Sequence, residues 1–308
     1  MVGILKLMEI EKFISLLENK NKFYEHIFLE KKLSNNTVSS YKNDLDLFEK
    51  FITKNKFKDQ TVETVVRKYI TNKSIEGVSG RTTNRFISSL KKFLKYFLEE
   101  KYFNFINVKS PKFSNKLPNI LNVDEMERLL NFKPIKYEDF LDKAILEVLY
   151  SSGLRVSELV NLQKKNIDFE EEMIKVLGKG QKERIIPIGL KALDSIKQYI
   201  NVKPSDYNND NYFFVNKKCK NLNIRYIQRM IKKRCLFAGI HKDITPHTLR
   251  HSFASHILQS SGNLRVVQEL LGHSNINTTQ IYTHLDWQNL AKTYDETHPR
   301  AKIKQSKL

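Results

Sequence analysis

Apolar residues recur at helical spacing through roughly the first hundred residues. The short polar run at 34–37 is typical of a helix start, and an apolar stripe follows it as far as Ile52. A second stripe follows Gly80. The two stripes consist of Val38, Tyr41, Leu45, Phe48 and Ile52, and of Phe86, Leu90, Phe93, Leu94 and Phe97. They predict an N-terminal region built from amphipathic helices, with the apolar stripes in its core.

The pattern changes at residues 107–118, VKSPKFSNKLPN, where prolines, lysines and small polar residues replace the stripes. Such a composition is typical of an extended basic linker. At this chain length two domains are expected. The sequence therefore predicts an N-terminal helical domain over 1–106, a linker over 107–118 and a second domain over 119–308.

The second domain contains both helical and strand-like patterns of apolar residues. A long apolar helix over roughly 138–151 ends at Gly153, and a short helix follows from Arg155. A strand-like stretch at 166–169 precedes two β-rich runs, and Gly-Lys-Gly-Gln-Lys at 178–182 separates those runs as a hairpin would. Helices fill most of the remainder. The prediction is a mainly α protein whose second domain is α+β with a small antiparallel sheet.

The net charge of the chain indicates what kind of partner the protein binds. The 308 residues are 40% hydrophobic and 28% charged, which is ordinary for a globular protein, but the formal net charge is +19. Such a surplus indicates a polyanionic partner, with nucleic acid favoured over a membrane surface, although a lysine-rich proteome would also raise it.

Other features indicate the compartment. The apolar runs are too short to span a bilayer, and the N-terminus lacks the features of a secretory signal. Cys219 and Cys235 form neither a disulfide framework nor a zinc motif. A cytoplasmic protein without a membrane partner is expected, and Met8 is an alternative start to Met1.

Thr245 and Pro246 predict a helix start, since threonine caps helices and proline favours the first turn. His247 and Arg250 are three residues apart and share a face near that start, where free N–H groups attract anions. A metal interpretation of His247 with His251 is also possible, but no third ligand stands out.

Further candidates lie on turns and short helices. His273 follows a glycine at a helix end, and Tyr282 lies on a predicted short helix. Arg155 follows a glycine break with Glu158 placed to pair with it, and Lys179 stands between glycines at the hairpin tip. Each alone is more often a surface or core residue. Together with His247 and Arg250 they form a set able to break and rejoin a phosphodiester.

These residues lie in motifs that resemble the tyrosine recombinase (phage-integrase-like) family, most closely its Xer branch of chromosome-resolving recombinases. The motifs in family order are LSNNTVSSYKNDLDLFEKFI, PKFSNKLPNIL, SSGLRVSELVNL, LGKGQKERIIPIG, HTLRHSFASHIL, LLGHSNINTTQIYTH and HPRA at 298–301. The resemblance implies a SAM-like core-binding domain and a catalytic domain that form a C-shaped clamp on duplex DNA.

The resemblance also implies how the reaction proceeds. Tyr282 would attack the scissile phosphate and give a 3′-phosphotyrosyl intermediate, with strands exchanged through a Holliday junction. Lys179 would protonate the 5′-oxygen leaving group, and His247 would assist proton transfer at the tyrosine. Neither a cofactor nor a metal is implied.

The same resemblance assigns the charge clamp. Arg155 and Arg250 would hold the non-bridging oxygens, His273 would donate a further hydrogen bond, and Glu158 would hold the site in place. The candidates for binding DNA elsewhere are basic residues of the helical domain, the linker and the hairpin. They are Arg81, Arg85, Lys91, Lys112, Lys116 and Lys182.

The implied assembly is a homo- or hetero-tetramer on two duplexes, with a paralogous recombinase and a septal DNA translocase as possible partners. The tail, including Leu290 and Tyr294, would dock as a helix into a neighbouring protomer or close its own domain. Three alternatives stay open: an integrase of a phage or mobile element, a DNA-binding protein that does not cut, and a relaxing topoisomerase. The compact length and the HPRA tail favour the chromosomal role.

Overall fold

A computed structural model describes residues 8–31, 33–98, 120–178, 183–203, 212–271 and 293–301. The chain forms two compact units, Met1–Lys116 and Leu117–Leu308. The division falls within 107–118, the predicted linker, which lies outside the described residues together with Lys112 and Lys116. The linker and its DNA contacts therefore stay predictions.

The described part of the first unit consists of helices. They are α1 (Ile10–Leu17), α2 (Lys20–Leu29), α3 (Asn35–Asn55), α4 (Val62–Ile75) and α5 (Gly80–Phe97). Their core is rich in phenylalanine. The Phe93 ring packs edge-on against the rings of Phe13 and Phe23, with centroid distances of 5.8 and 5.4 Å, and the ring centroids of Phe48 and Phe86 are 5.1 Å apart. Such contacts add to the burial that holds the helices together.

Both helices predicted in this unit are confirmed. Ser34 caps α3 and Ser79 caps α5, each by accepting a hydrogen bond from a backbone N–H of the first turn. The apolar stripes of the two helices are buried, except that Val38 and Phe97 are only partly covered. A partly buried ion pair between Asp44 on α3 and Arg85 on α5 also joins them.

The second unit contains helices around a small sheet. Its described helices are α6 (Val123–Leu130), α7 (Tyr137–Ser152), α8 (Val156–Val160), α9 (Leu190–Val202), α10 (Ile224–Phe237), α11 (Pro246–Ser261), α12 (Leu264–Leu271) and a short α13 at 293–297. Helix α7 is buried along most of its length and packs against α9 and α11. The prediction of a helix over 138–151 is confirmed.

The sheet is antiparallel, with the order β1 (Ile167–Asp168), β2 (Met173–Leu177) and β3 (Glu183–Pro187). Leu177 pairs with Glu183, so β2 and β3 form the predicted hairpin. Its tip at 179–182, with Lys179 and Lys182, lies outside the described residues. The fold class predicted from the sequence, mainly α with a mixed α+β second domain, is confirmed.

A glycine turn connects α7 to α8. Gly153 ends α7 in the left-handed conformation, with φ +59°. A Cβ atom at this position would lie 2.5 Å from Cδ1 of Phe253 on α11. Glycine therefore allows both the turn and the close approach of α11. Arg155 follows two residues later, as the N-cap of α8.

The tail segment 293–301 packs against its own domain. The Tyr294 hydroxyl is buried and donates to the Ser151 carbonyl at 2.9 Å, and the Arg300 Nε–H donates to Glu147 Oε2 at 3.1 Å. The part of the tail that contains Tyr294 therefore closes its own domain. Leu290 lies outside the described residues, so docking by the rest of the tail stays a prediction.

Within the described ranges, no helix combines the length and apolarity needed to cross a membrane.

Candidate active site

Arg155 occupies the N-cap of α8 and is fixed by Glu158 three residues on. Its backbone N–H donates to Glu158 Oε2 and its Nη1–H donates to Glu158 Oε1, both at 2.8 Å. The Arg155 side chain keeps 32% of its surface exposed. Since only one guanidinium nitrogen contacts the carboxylate, the other N–H groups stay available to a ligand.

Glu158 also binds a second arginine, Arg184 on β3. Arg184 Nη1 and Nη2 donate to Glu158 Oε1 and Oε2 at 2.7 and 2.8 Å. Burial alone would raise the pKa of Glu158, but hydrogen bonds from Arg184 and Arg155 outweigh it and lower that pKa below its usual value. The carboxylate is therefore charged at neutral pH.

Arg250 lies in the first turns of α11 and is buried. Its Nη1 donates to the Gly153 carbonyl at 2.5 Å and its Nη2 to the Leu271 carbonyl at 2.7 Å. Burial, together with the nearby charge of Arg155, lowers the pKa of Arg250 to about 10. It still carries its charge at neutral pH.

His247 is exposed in the first turn of α11. Thr245 caps this helix by accepting from the Thr248 N–H, and Pro246 follows the cap, as the sequence predicts. His247 therefore stands beside the N-terminal end of a helix, where the helix dipole favours an anion. No group of metal-ligating side chains is found among the described residues, which include His251.

The structure thus brings Arg155, Glu158 and Arg250 together around the Gly153 turn, with His247 on the same helix as Arg250. The remaining predicted catalytic residues, Lys179, His273 and Tyr282, lie outside the described residues, and their places stay predictions.

The candidates on α5 differ from one another. Arg81 and Lys91 are exposed. Arg85 donates from Nε and Nη2 to the two oxygens of Asp44 at 2.9 and 2.7 Å, although 42% of its side chain is exposed. This side chain first of all joins α5 to α3. Its predicted contact with DNA would have to use the remaining donors.

Sequence reasoning missed two features. Arg184 lies within the LGKGQKERIIPIG stretch, but nothing in that stretch indicates its partner, a carboxylate 26 residues away. The second feature is a basic row on α10, where Arg225, Arg229 and Lys232 are exposed opposite the buried Ile227. Their helical spacing is the signal that could have found this row.

Two protein-family models match this chain. The model of the "Phage integrase family" matches residues 119–289, and that of the "Phage integrase, N-terminal SAM-like domain" matches residues 21–101. The tyrosine recombinase XerC of Thermodesulfovibrio yellowstonii is 40% identical over 91% of this chain and 96% of its own length. The tyrosine recombinase XerD of Staphylococcus aureus is 37% identical over 91% of this chain and 98% of its own length.

A crystal structure of the XerH site-specific recombinase bound to a palindromic difH substrate has a similar fold. The TM-score is 0.65 at 24% identity, over 84% of this chain and 79% of that chain. The chain therefore belongs to the phage integrase family of tyrosine recombinases, enzymes that cut and rejoin DNA at specific sites.

Proposed function

We propose that this recombinase resolves chromosome dimers, with Tyr282 as nucleophile and Arg155 and Arg250 as the clamp on the scissile phosphate. The observation that carries the proposal is the anchoring of both guanidinium groups at one turn. Arg250 donates to the carbonyl of Gly153, two residues before Arg155, and the charge of Arg155 influences the pKa of Arg250. Two cations held this way complement the charge that develops in a phosphoryl-transfer transition state.

The proposed reaction is a transesterification. The Tyr282 oxygen attacks phosphorus as the bond from phosphorus to the 5′-oxygen breaks, which gives a 3′-phosphotyrosyl bond and a free 5′-hydroxyl. Lys179 supplies the proton that the leaving oxygen takes up, and His247 accepts the tyrosine proton. His273 donates a hydrogen bond to the phosphate. Because one phosphodiester replaces another, the free energy of the bond is kept for rejoining.

The anchoring of Arg155 and Arg250 lowers the entropic cost of placing both guanidinium groups around the scissile phosphate. Arg250 is held by backbone carbonyls on two segments, and Arg155 is held by a carboxylate that is charged at neutral pH. Neither side chain has to be ordered by the substrate, so more of the binding energy can be used in the transition state. Both keep further N–H donors for the phosphate oxygens.

Double-stranded DNA is the proposed substrate, in keeping with the net charge of +19. Exposed Arg81 and Lys91 on α5, and the basic row on α10, are the proposed contacts outside the clamp, with Lys112, Lys116 and Lys182 as predicted from the sequence. We propose a tetramer on two duplexes in the cytoplasm, with a paralogue and a septal translocase as candidate partners. The relatives named XerC and XerD favour this role over that of a mobile-element integrase.

A nicked duplex that carries a candidate chromosomal resolution site tests the proposal. The nick lets the short cleaved strand diffuse away, so the covalent intermediate accumulates. Wild-type protein should give a protein–DNA adduct that resists denaturation, and Tyr282→Phe should bind the duplex without forming it. Wild-type binding without an adduct would support a DNA-binding protein that does not cut.

A further inference from the structure

Arg184 lies on β3, in the same LGKGQKERIIPIG stretch as Lys179, but the sequence assigns it no role in the catalytic set. Its side chain is 12% exposed, and the Glu158 side chain that it meets is 4% exposed. The two form a bidentate pair, in which Arg184 Nη1 donates to Glu158 Oε1 and Nη2 donates to Oε2. This is the geometry in which arginine and carboxylate bind most strongly and with the most defined orientation.

The Glu158 carboxylate is fully occupied. Oε1 accepts from Nη1 of Arg155 and Nη1 of Arg184, and Oε2 accepts from the Arg155 backbone N–H and Nη2 of Arg184. Since Arg184 takes the bidentate position, Arg155 is left with a single side-chain contact. Without Arg184, the Arg155 fork could rotate onto both oxygens, and the N–H groups that face a ligand would be drawn away.

The charges lead to the same arrangement. The guanidinium groups of Arg155 and Arg184 contact the Glu158 carboxylate, and that of Arg250 lies near enough to interact with it electrostatically. Burial lowers the pKa of Arg250, and the charges of the other two guanidinium groups, Arg155 and Arg184, lower it further. Glu158 neutralises one of the three positive charges, so the cluster keeps a positive surplus suited to a phosphodiester. Of the two arginines that contact Glu158, Arg184 is the more buried: its side chain is 12% exposed, and that of Arg155 is 32% exposed.

We infer that Arg184 is a positioning residue for cleavage: it occupies Glu158 so that Arg155 presents its free N–H groups to the scissile phosphate. This inference rests on the proposed function. It predicts that the loss of Arg184 slows the chemical step and leaves DNA affinity nearly unchanged.

The experiment measures adduct formation on the nicked duplex under single-turnover conditions at saturating protein, with the DNA dissociation constant measured separately. Arg184→Met should slow adduct formation by about 10- to 100-fold, because small misplacements of a reacting group cost rates of this order. The dissociation constant should change by less than about threefold. Arg184→Lys keeps the charge but lacks the fork, so it should also be slow by about 10-fold or more.

Coupling to Arg155 distinguishes positioning from general support of the fold. In an Arg155→Lys background there is no fork to position, so adding Arg184→Met should slow the reaction by less than about threefold. The matched control is Arg234→Met, because the Arg234 side chain is also 12% exposed and pairs with Asp139 and Asp142. It should lower the unfolding temperature and leave the adduct rate within about threefold of wild type.

A normal adduct rate in Arg184→Met or Arg184→Lys would overturn the inference. An equal slowing with and without the Arg155 substitution would also overturn it. If Arg184→Met does not fold, Arg184→Lys carries the test. A wild-type protein that forms no adduct would instead contradict the proposed function, so the two failures can be told apart.

Discussion

Replacing Gly153 with alanine tests whether the turn that holds the two arginines depends on the absence of a side chain. The residue has φ +59°, and an added Cβ would lie 2.5 Å from Cδ1 and 2.7 Å from Cε1 of Phe253. The left-handed conformation costs a non-glycine residue about 1–2 kcal/mol. Overpacking a tight core costs about 1–3 kcal/mol more. Gly153→Ala should therefore lower the free energy of unfolding by about 2–5 kcal/mol.

Gly262→Ala is the matched control, because Gly262 has φ +63° and a Cβ there would meet nothing within 4 Å. It should carry only the backbone cost of about 1–2 kcal/mol. Equilibrium urea unfolding followed by circular dichroism measures both variants, and Phe253→Leu added to Gly153→Ala should recover part of the difference. Equal losses in the two alanine variants would refute the argument that Phe253 closes on this turn.

Three further predictions concern the clamp, the tail and the charge. Arg250→Lys should bind DNA but cleave about 100-fold more slowly or worse, since one ammonium cannot replace a fork held by two carbonyls, and a near-normal rate would contradict this. Burial lowers the pKa of His298 from 6.5 to about 3. Below about pH 6.5 the unfolded chain therefore binds more protons than the folded chain, and the free energy of unfolding of the wild type should decrease as the pH is lowered. In His298→Gln the free energy of unfolding, measured with urea between about pH 7 and 5, should depend less on pH than in the wild type. An unchanged pH dependence would contradict a buried, neutral His298 ring. DNA affinity should weaken steeply with added salt, and a flat titration would contradict extensive phosphate contacts.

The helices and the hairpin could be predicted from the sequence because their signals are local. Helix α5 begins after Ser79, a residue that caps helices, and its apolar residues recur on one face. The α7 helix ends at Gly153, which can adopt the left-handed conformation that stops a helix. Caps, periodicity and glycine positions are readable without knowing what each element packs against.

Contacts between distant segments could not be predicted in this way. The sequence placed Glu158 beside Arg155, three residues away, but gave no sign that Arg184 would complete the pair. Charge alone predicts that Arg85 contacts DNA, whereas its buried partner Asp44 is 41 residues away in the sequence. The sequence leaves open whether the segment with Tyr294 docks into a neighbouring protomer or closes its own domain, and the contact of Tyr294 with Ser151, 143 residues away, shows the second. Such partners depend on the tertiary fold and not on spacing along the chain.

The central claim is that Tyr282 forms the covalent bond to DNA. The direct test is to digest the adduct with nuclease and trypsin and to locate the nucleotide-modified residue by mass spectrometry. The tryptic peptide 266–292 contains Tyr282 as its only tyrosine. The account predicts a phosphonucleotide on this tyrosine and no modified peptide from Tyr282→Phe. A nucleotide on any other residue, or an equal adduct yield from Tyr282→Phe, would contradict it.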